Sequence, residues 1–293
     1  MKRSTDRILT THCGSLPRPN PLRDLQAAVA RGEEVDEAAY HTEVRDATLQ
    51  VVWKQVEVGI DVINDGEIPK IGGFSGYVRA RLAGFEGGDT EPRPVPGMVQ
   101  DFPDYAANYR SQPRPVGHGE MSWKDFSVVD RDSANLKAAA AELGVQEAFI
   151  TASAPGTIFN HNSNRFYATR QAYLGAIADL MKREYDAIVA AGLILQIDCP
   201  DLAASRDTFY ADLSTEDFLK IAAENVEVLN HVTRDIPPER MRMHVCWGAG
   251  AGPHARDIEL SEVIGIILSA RPAGIVLAAA NGRHEWNGKY GRM

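Results

Sequence analysis

The alternation of two hydrophobic periods constrains this chain more than any other feature. Short apolar runs ending in Gly, Asp or His alternate with longer stretches in which apolar residues recur about every 3.6 positions. The short runs predict strands at residues 7–11, 61–64, 148–152, 193–197, 241–245 and 274–278. The longer stretches predict helices at 39–58, 169–191, 215–232 and 258–269, with Gly59 and Gly192 as helix stops. Strands that alternate with helices are parallel strands joined by crossovers. The runs lack a clean apolar–polar alternation, as strands covered on both faces do. A closed barrel and an open doubly wound sheet both meet these conditions. Six predicted strands are two short of a complete eight-stranded (β/α)8 barrel. Residues 84–120, rich in Gly and Pro with Phe85, Phe102, Tyr105 and Tyr109 interleaved, predict a long irregular loop.

Length and charge narrow the partners. The 293 residues suffice for one large α/β domain over the whole chain, 1–293. A formal net charge of −9 without clustered Lys or Arg argues against nucleic acid and anionic membrane as partners. No apolar run approaches the roughly 18–20 residues of a membrane span, and the N-terminus lacks the apolar region of a signal peptide. Three cysteines (Cys13, Cys199, Cys246) are too few and too odd for a disulfide framework. They are expected to be reduced, in a cytoplasmic chain.

The chemically versatile residues gather at the C-terminal ends of the predicted strands. They are His12, Cys13 and Ser15, then Asp65 and Glu67, then Asp198 and Cys199, then His244 and Cys246. In barrels and in open α/β sheets the ligand site lies at that edge. His244 and Cys246 stand at i and i+2 of an extended run, so imidazole and thiol share a face. Such a pair suits two ligands of a tetrahedral Zn²⁺ rather than of Mg²⁺ or Ca²⁺. The alternative is a buried histidine satisfied by a carbonyl, beside a cysteine packing as a small apolar residue. Asp65 and Glu67 share the same spacing and can hold a substrate ammonium group or exchange protons. A solvated Asn-Asp-Gly turn is the competing reading. Asp198 ends a wholly apolar run, where an unpaired carboxylate is costly, so a partner is expected. Cys199 should face the other way and pack. His254 and His284 fall in predicted loops and are expected to be exposed rather than ligating. No phosphate-binding glycine motif and no nucleophile elbow is present, which argues against a serine hydrolase at Ser15 or Ser153.

Five segments in order, TTHCGSLPRP at 10–19, VINDGEIPK at 62–70, LQIDCPDLA at 195–203, MHVCWG at 243–248 and AANGRHEW at 279–286, resemble the cobalamin-independent methionine synthase family. The resemblance implies a single (β/α)8 TIM-barrel domain that binds Zn²⁺ through His244 and Cys246. It implies methyl transfer from methyltetrahydrofolate to the thiol of homocysteine, giving methionine. Glu67 and Asp198 would hold the amino group, Cys13, Gly14 and Ser15 the carboxylate, with His12 and Trp247 among the substrate contacts. Related barrels alkylate other thiols, including coenzyme M with epoxides, so that transfer is the alternative activity.

The pattern departs from the family in three places. Ala278 stands where relatives carry a Glu ligand. The family's N-P-R-H reads Asn281-Gly282-Arg283-His284 here. The last two strands, a further Cys ligand and a His proton donor would lie beyond Met293. The expectation is therefore a C-terminally truncated barrel with open edges that invite pairing with a second copy. A half-made zinc site, completed by His12, Cys13, Asp198 or Cys199 or by a second chain, or a catalytically impaired member, belongs to the same expectation.

Overall fold

The computed structural model of the chain describes residues 1–248, 250, 252–279, 282 and 284. Two compact units are each assembled from separated segments. The first comprises Met1–Leu82, Trp123–Ala152 and Arg183–Gln196; the second comprises Ala83–Ser122, Ser153–Lys182 and Ile197–Met293.

The fold is α/β, and its main sheet has five strands whose spatial order follows chain order: β1 (Ile63–Asn64), β2 (Ala148–Ser153), β3 (Ile194–Asp198), β4 (Met241–Val245) and β5 (Gly274–Leu277). Both terminal pairs are parallel, with Ile63 opposite Ala148 and His244 opposite Val276. Every residue of β2 and β3 is buried, which is why these runs show no alternation in the sequence. Besides the nine-residue helix Gly73–Arg81, six helices of nine or more residues flank these strands in sequence: α1 (Asn20–Ala30), α2 (Glu37–Glu57), α3 (Ser127–Glu142), α4 (Arg170–Ala190), α5 (Thr215–Val232) and α6 (Leu260–Leu268).

Five of the six expected strands form. The run at 7–11 contributes only a parallel bridge, Thr11 to Val62. Ile8 is 84% exposed, so this segment has no apolar face to bury and is held by polar contacts instead. Arg7 pairs with Asp61, and the Thr10 N–H donates to the same carboxylate at 2.8 Å. The stretch at 84–120 is less irregular than expected: it contains the helix Gly97–Asp101 and the strand Arg114–Gly117.

Helix starts follow local chemistry. Asp36 caps α2 by accepting from the Ala38 and Ala39 N–H groups, and Ser214 caps α5 through the Asp217 N–H. Glu259 and Glu262 form a reciprocal capping box on α6. Neither α1 nor α3 is legible in the apolar period. Helix α1 buries only Leu22 and Gln26, and α3 buries two alanines and a serine beside Val129 and Leu136. The first unit's core packs Leu22, Val44, Ala47 and Val51 against Ile68, just after β1, while Val62, Phe149 and Ile194 pack around the strands.

Candidate functional site

In the first unit the Asn64–Lys70 segment is a tight turn rather than a continued strand. β1 stops at Asn64. The Asn64 and Asp65 side chains then accept the N–H groups two residues on, Gly66 at 2.6 Å and Glu67 at 2.9 Å. Gly66 and Glu67 both have positive φ, 61° and 58°. For a glutamate that conformation is uncommon and costs energy, and such outliers concentrate at functional sites. Here the surroundings impose it: Arg18 donates to the carbonyls of Glu67, Ile68 and Lys70, and Gln26 donates to Ile68 O at 2.8 Å. The i, i+2 strand geometry expected for Asp65 and Glu67 is therefore replaced by a turn. The turn is not solvated either, for Asp65 is 2% and Glu67 3% exposed.

The loop after Thr11 converges on this turn. Gly14 has φ 95°, and the Leu16 N–H donates to Gly66 O at 2.9 Å. That brings the Ser15 hydroxyl onto the Glu67 carboxylate as a donor. Among the described residues no Lys, Arg or His lies within 4.0 Å of that carboxylate. His12 is turned to Gly14 O, 2.9 Å from Nε2. Cys13 Sγ lies 3.6 Å from Gln196 Nε2, which also reaches Thr151 Oγ1 at 3.3 Å. The Lys70 ammonium is buried, donates to Thr151 O and sits 4.8 Å from the centre of the Tyr77 ring. Burial outweighs the Lys70 charge at Asp65 and pushes its carboxyl up to about 6.

Sequence reasoning missed Lys70, Gln196 and Arg18. Gln196 had a signal, a polar residue inside a strand apolar on both faces. Lys70 and Arg18 had none that separates them from surface cations.

In the second unit β3 ends on Asp198, whose Oδ1 lies 3.2 Å from His244 Nδ1 on β4. The Cys199 N–H donates to His244 O at 2.8 Å, fixing the register of the two strand ends. Asp198 thus has the partner its burial demands. Contact through Nδ1 sets the histidine tautomer and makes Nε2 the basic nitrogen. Cys246 is half-buried one residue past the end of β4. Cys199 is fully buried, and burial first, then Asp201, Asp198 and Cys246, raises its thiol. A thiol held protonated is a poor metal ligand. Asp201 accepts from Thr157 Oγ1 at 2.7 Å and Asn225 Nδ2 at 2.9 Å, and burial raises it to about 6.

Trp247 is buried and donates its indole N–H to Ile258 O at 2.7 Å. Its ring lies 5.1 Å from that of His284. The exposure expected of His254 and His284 is contradicted: their side chains are 4% and 5% exposed, and both contact Asp257. The hydrophobic Trp247 face and the buried Asp257 draw them inward, which no local pattern announces. Of the AANGRHEW segment, Ala280, Asn281, Arg283, Glu285 and Trp286 lie outside the described residues, as does Ala249.

His244 and Cys246 have the donor chemistry of a zinc pair, but the described residues do not complete a zinc site around them. A catalytic zinc takes three protein ligands. Among the described residues, three His, Cys, Asp or Glu ligand atoms lie within 4.8 Å of one another at His254, Asp257 and His284.

Residues 8–88 match the family model for the catalytic domain of cobalamin-independent synthases. The methionine synthase of Sulfolobus acidocaldarius is 27% identical over 262 residues, 87% of this chain and 66% of that protein. That of Saccharolobus solfataricus is 26% identical, over 87% of this chain and 68% of that one. The chain thus spans about two thirds of the length of these relatives. A B12-independent methionine synthase from Shewanella sp. W3-18-1, solved in complex with selenomethionine, shares the fold with a TM-score of 0.60. It is 18% identical and covers 82% of this chain and 62% of its own.

Proposed function

This chain belongs with the cobalamin-independent methionine synthases, and from that premise we propose that it transfers a methyl group from methyltetrahydrofolate to the thiol of homocysteine. The observation that carries the reading is Glu67. A carboxylate 3% exposed, with a hydroxyl donor from Ser15 but no cation within 4.0 Å among the described residues, is paired favourably by a substrate ammonium group. Gly14 and Ser15, in the adjoining turn, are proposed for the substrate carboxylate, with His12 and Cys13 flanking it. The thiol gives up its proton, and in the second unit Asp198 orients His244 through Nδ1, which makes Nε2 its basic nitrogen. Sulfur then bonds to the methyl carbon as the carbon–nitrogen bond of the donor breaks, and the donor nitrogen takes up a proton.

Zinc at His244 and Cys246 is a separate proposal, and no step above runs through it. We also propose that the five-stranded sheet is part of a (β/α)8 barrel, and that Trp247 supports the site as packing rather than as a polar contact.

Methionine formation from homocysteine and methyltetrahydrofolate tests the reading. Glu67→Gln removes a charge-assisted contact of about 1.5–3 kcal/mol, so kcat/KM for homocysteine should fall about ten- to hundredfold. Absence of turnover by the wild-type protein overturns the proposal. Turnover with a thiol that lacks an amino group, unaffected by Glu67→Gln, points instead to alkyl transfer onto a thiol such as coenzyme M.

A further inference from the structure

Inside the second unit, in the segments that follow β4 and β5, is a cluster that the methyl-transfer reading does not use. Asp257 Oδ2 lies 2.9 Å from His254 Nδ1 and 2.7 Å from His284 Nε2. The three side chains are 4%, 7% and 5% exposed. One carboxylate oxygen therefore faces two imidazole nitrogens in a space closed to water.

We propose that His254, Asp257 and His284 form a divalent-metal site of the zinc class. Two imidazoles and one carboxylate are the donor set of a three-ligand zinc site with a fourth position open. Imidazole donors select zinc-like ions over Mg²⁺ and Ca²⁺. The contacts of 2.9 and 2.7 Å are hydrogen-bond lengths, about half an ångström shorter than the ~3.3 Å between ligand atoms of a tetrahedral ion bonded at about 2.0–2.1 Å. Small outward movements of the two rings would admit it.

Three further features favour a cation here. Asp207 is 1% exposed, and its Oδ2 has no hydrogen-bond partner among the described residues. Its other oxygen accepts the Met98 N–H at 3.1 Å. Burial, and after it the charge of Asp257, raises the Asp207 carboxyl, so two acids share one enclosed region. An ion beside them offsets the cost of burying both charges. The ligands are also held in place beforehand. His254 has φ 56°, a left-handed conformation that histidine adopts more readily than most residues. The Trp247 ring, anchored through Ile258 O, lies tilted by 30° from the plane of His284. Asp257 and His284 meet across a separation of 27 positions, so an ion would cross-link the loop after β4 to the segment after β5.

The test is metal uptake, which is independent of methyl transfer. The full chain is stripped with chelator, titrated with zinc alone, and its bound metal measured after gel filtration. Cys246→Ser should retain about one zinc per chain, because this site needs no thiolate. Cys246→Ser combined with His284→Ala should lose it. A cobalt(II) form of Cys246→Ser should show visible ligand-field bands and no thiolate-to-metal charge-transfer band, a readout that does not depend on the double variant folding. Failure of Cys246→Ser to hold zinc, equal uptake by the double variant, or a thiolate band in the cobalt form overturns the assignment. The first of these outcomes leaves the three side chains as a hydrogen-bonded cross-link only. Absence of methyl transfer by the zinc-loaded wild-type protein, by contrast, sinks the proposed function and leaves this site standing.

Discussion

Replacing Asp65 by Asn should remove a pH dependence from folding stability, and its size follows from burial. Asp65 is 2% exposed, and its carboxyl is raised from 3.8 to about 6 by desolvation, against the opposing charge of Lys70. A raised acid holds its proton in the folded state after the unfolded chain has released it. The unfolded state therefore binds fewer protons between about pH 4 and 6, and stability falls as pH rises through that window. The stability is fully present below 3.8 and lost above about 6. At about 1.4 kcal/mol per pH unit, the whole loss is about 3 kcal/mol, of which about 1.5 kcal/mol falls between pH 5 and 8.

Asn keeps the oxygen that accepts the Glu67 N–H at 2.9 Å, and Oδ2 has no hydrogen-bond partner to lose among the described residues. Any cost of burying the amide is the same at both pH values and cancels. Urea unfolding of both proteins at pH 5 and pH 8 measures the effect. The advantage of Asp65→Asn over wild type should grow by about 1.5 kcal/mol on going to pH 8. Parallel profiles would refute the claim that Asp65 is ionised at a cost.

Three further outcomes are expected. Gly66→Ala places a Cβ about 2.8 Å from Val51 Cγ1 at φ 61°, so the turn should lose about 1–3 kcal/mol, read as a lower urea midpoint. Arg81 is 9% exposed, pairs with Asp132 and lies 3.4 Å from Glu184, whose carboxyl burial raises. Arg81→Met leaves two buried acids without it and should cost about 3–5 kcal/mol, seen as a markedly lower Tm. Asp198→Asn weakens the hold on His244 Nδ1 and should lower kcat more than it raises KM for the thiol, read from steady-state kinetics at one pH. An unchanged kcat would assign Asp198 to packing alone.

The buried strands and long helices were open to inspection in the sequence because burial on both faces and helical amphipathicity leave local periods. Thr215–Val232 and Met241–Val245 fall where the pattern puts them. Helix α3 escaped because alanines and a serine carry much of its buried face. The strand expected at 7–11 failed for the opposite reason: an apolar run signals a strand only if the fold covers it, and Ile8 stays exposed. At the site, the chemistry of Glu67, Asp198, His244 and Cys246 was visible as residue type at strand ends. Their partners were not, since Ser15, Gln196 and Asp257 are ordinary polar residues until the chain brings them to a neighbour.

The sequence alone thus determined the α/β class, the order of the principal elements and the kinship with cobalamin-independent methionine synthases, all of which rest on short-range patterns. Only the tertiary structure decided that Asp65 and Glu67 lie in a buried left-handed turn and that His254 and His284 close on Asp257. Burial, tautomer and ligand geometry depend on contacts between residues far apart in the chain, and no local period encodes them.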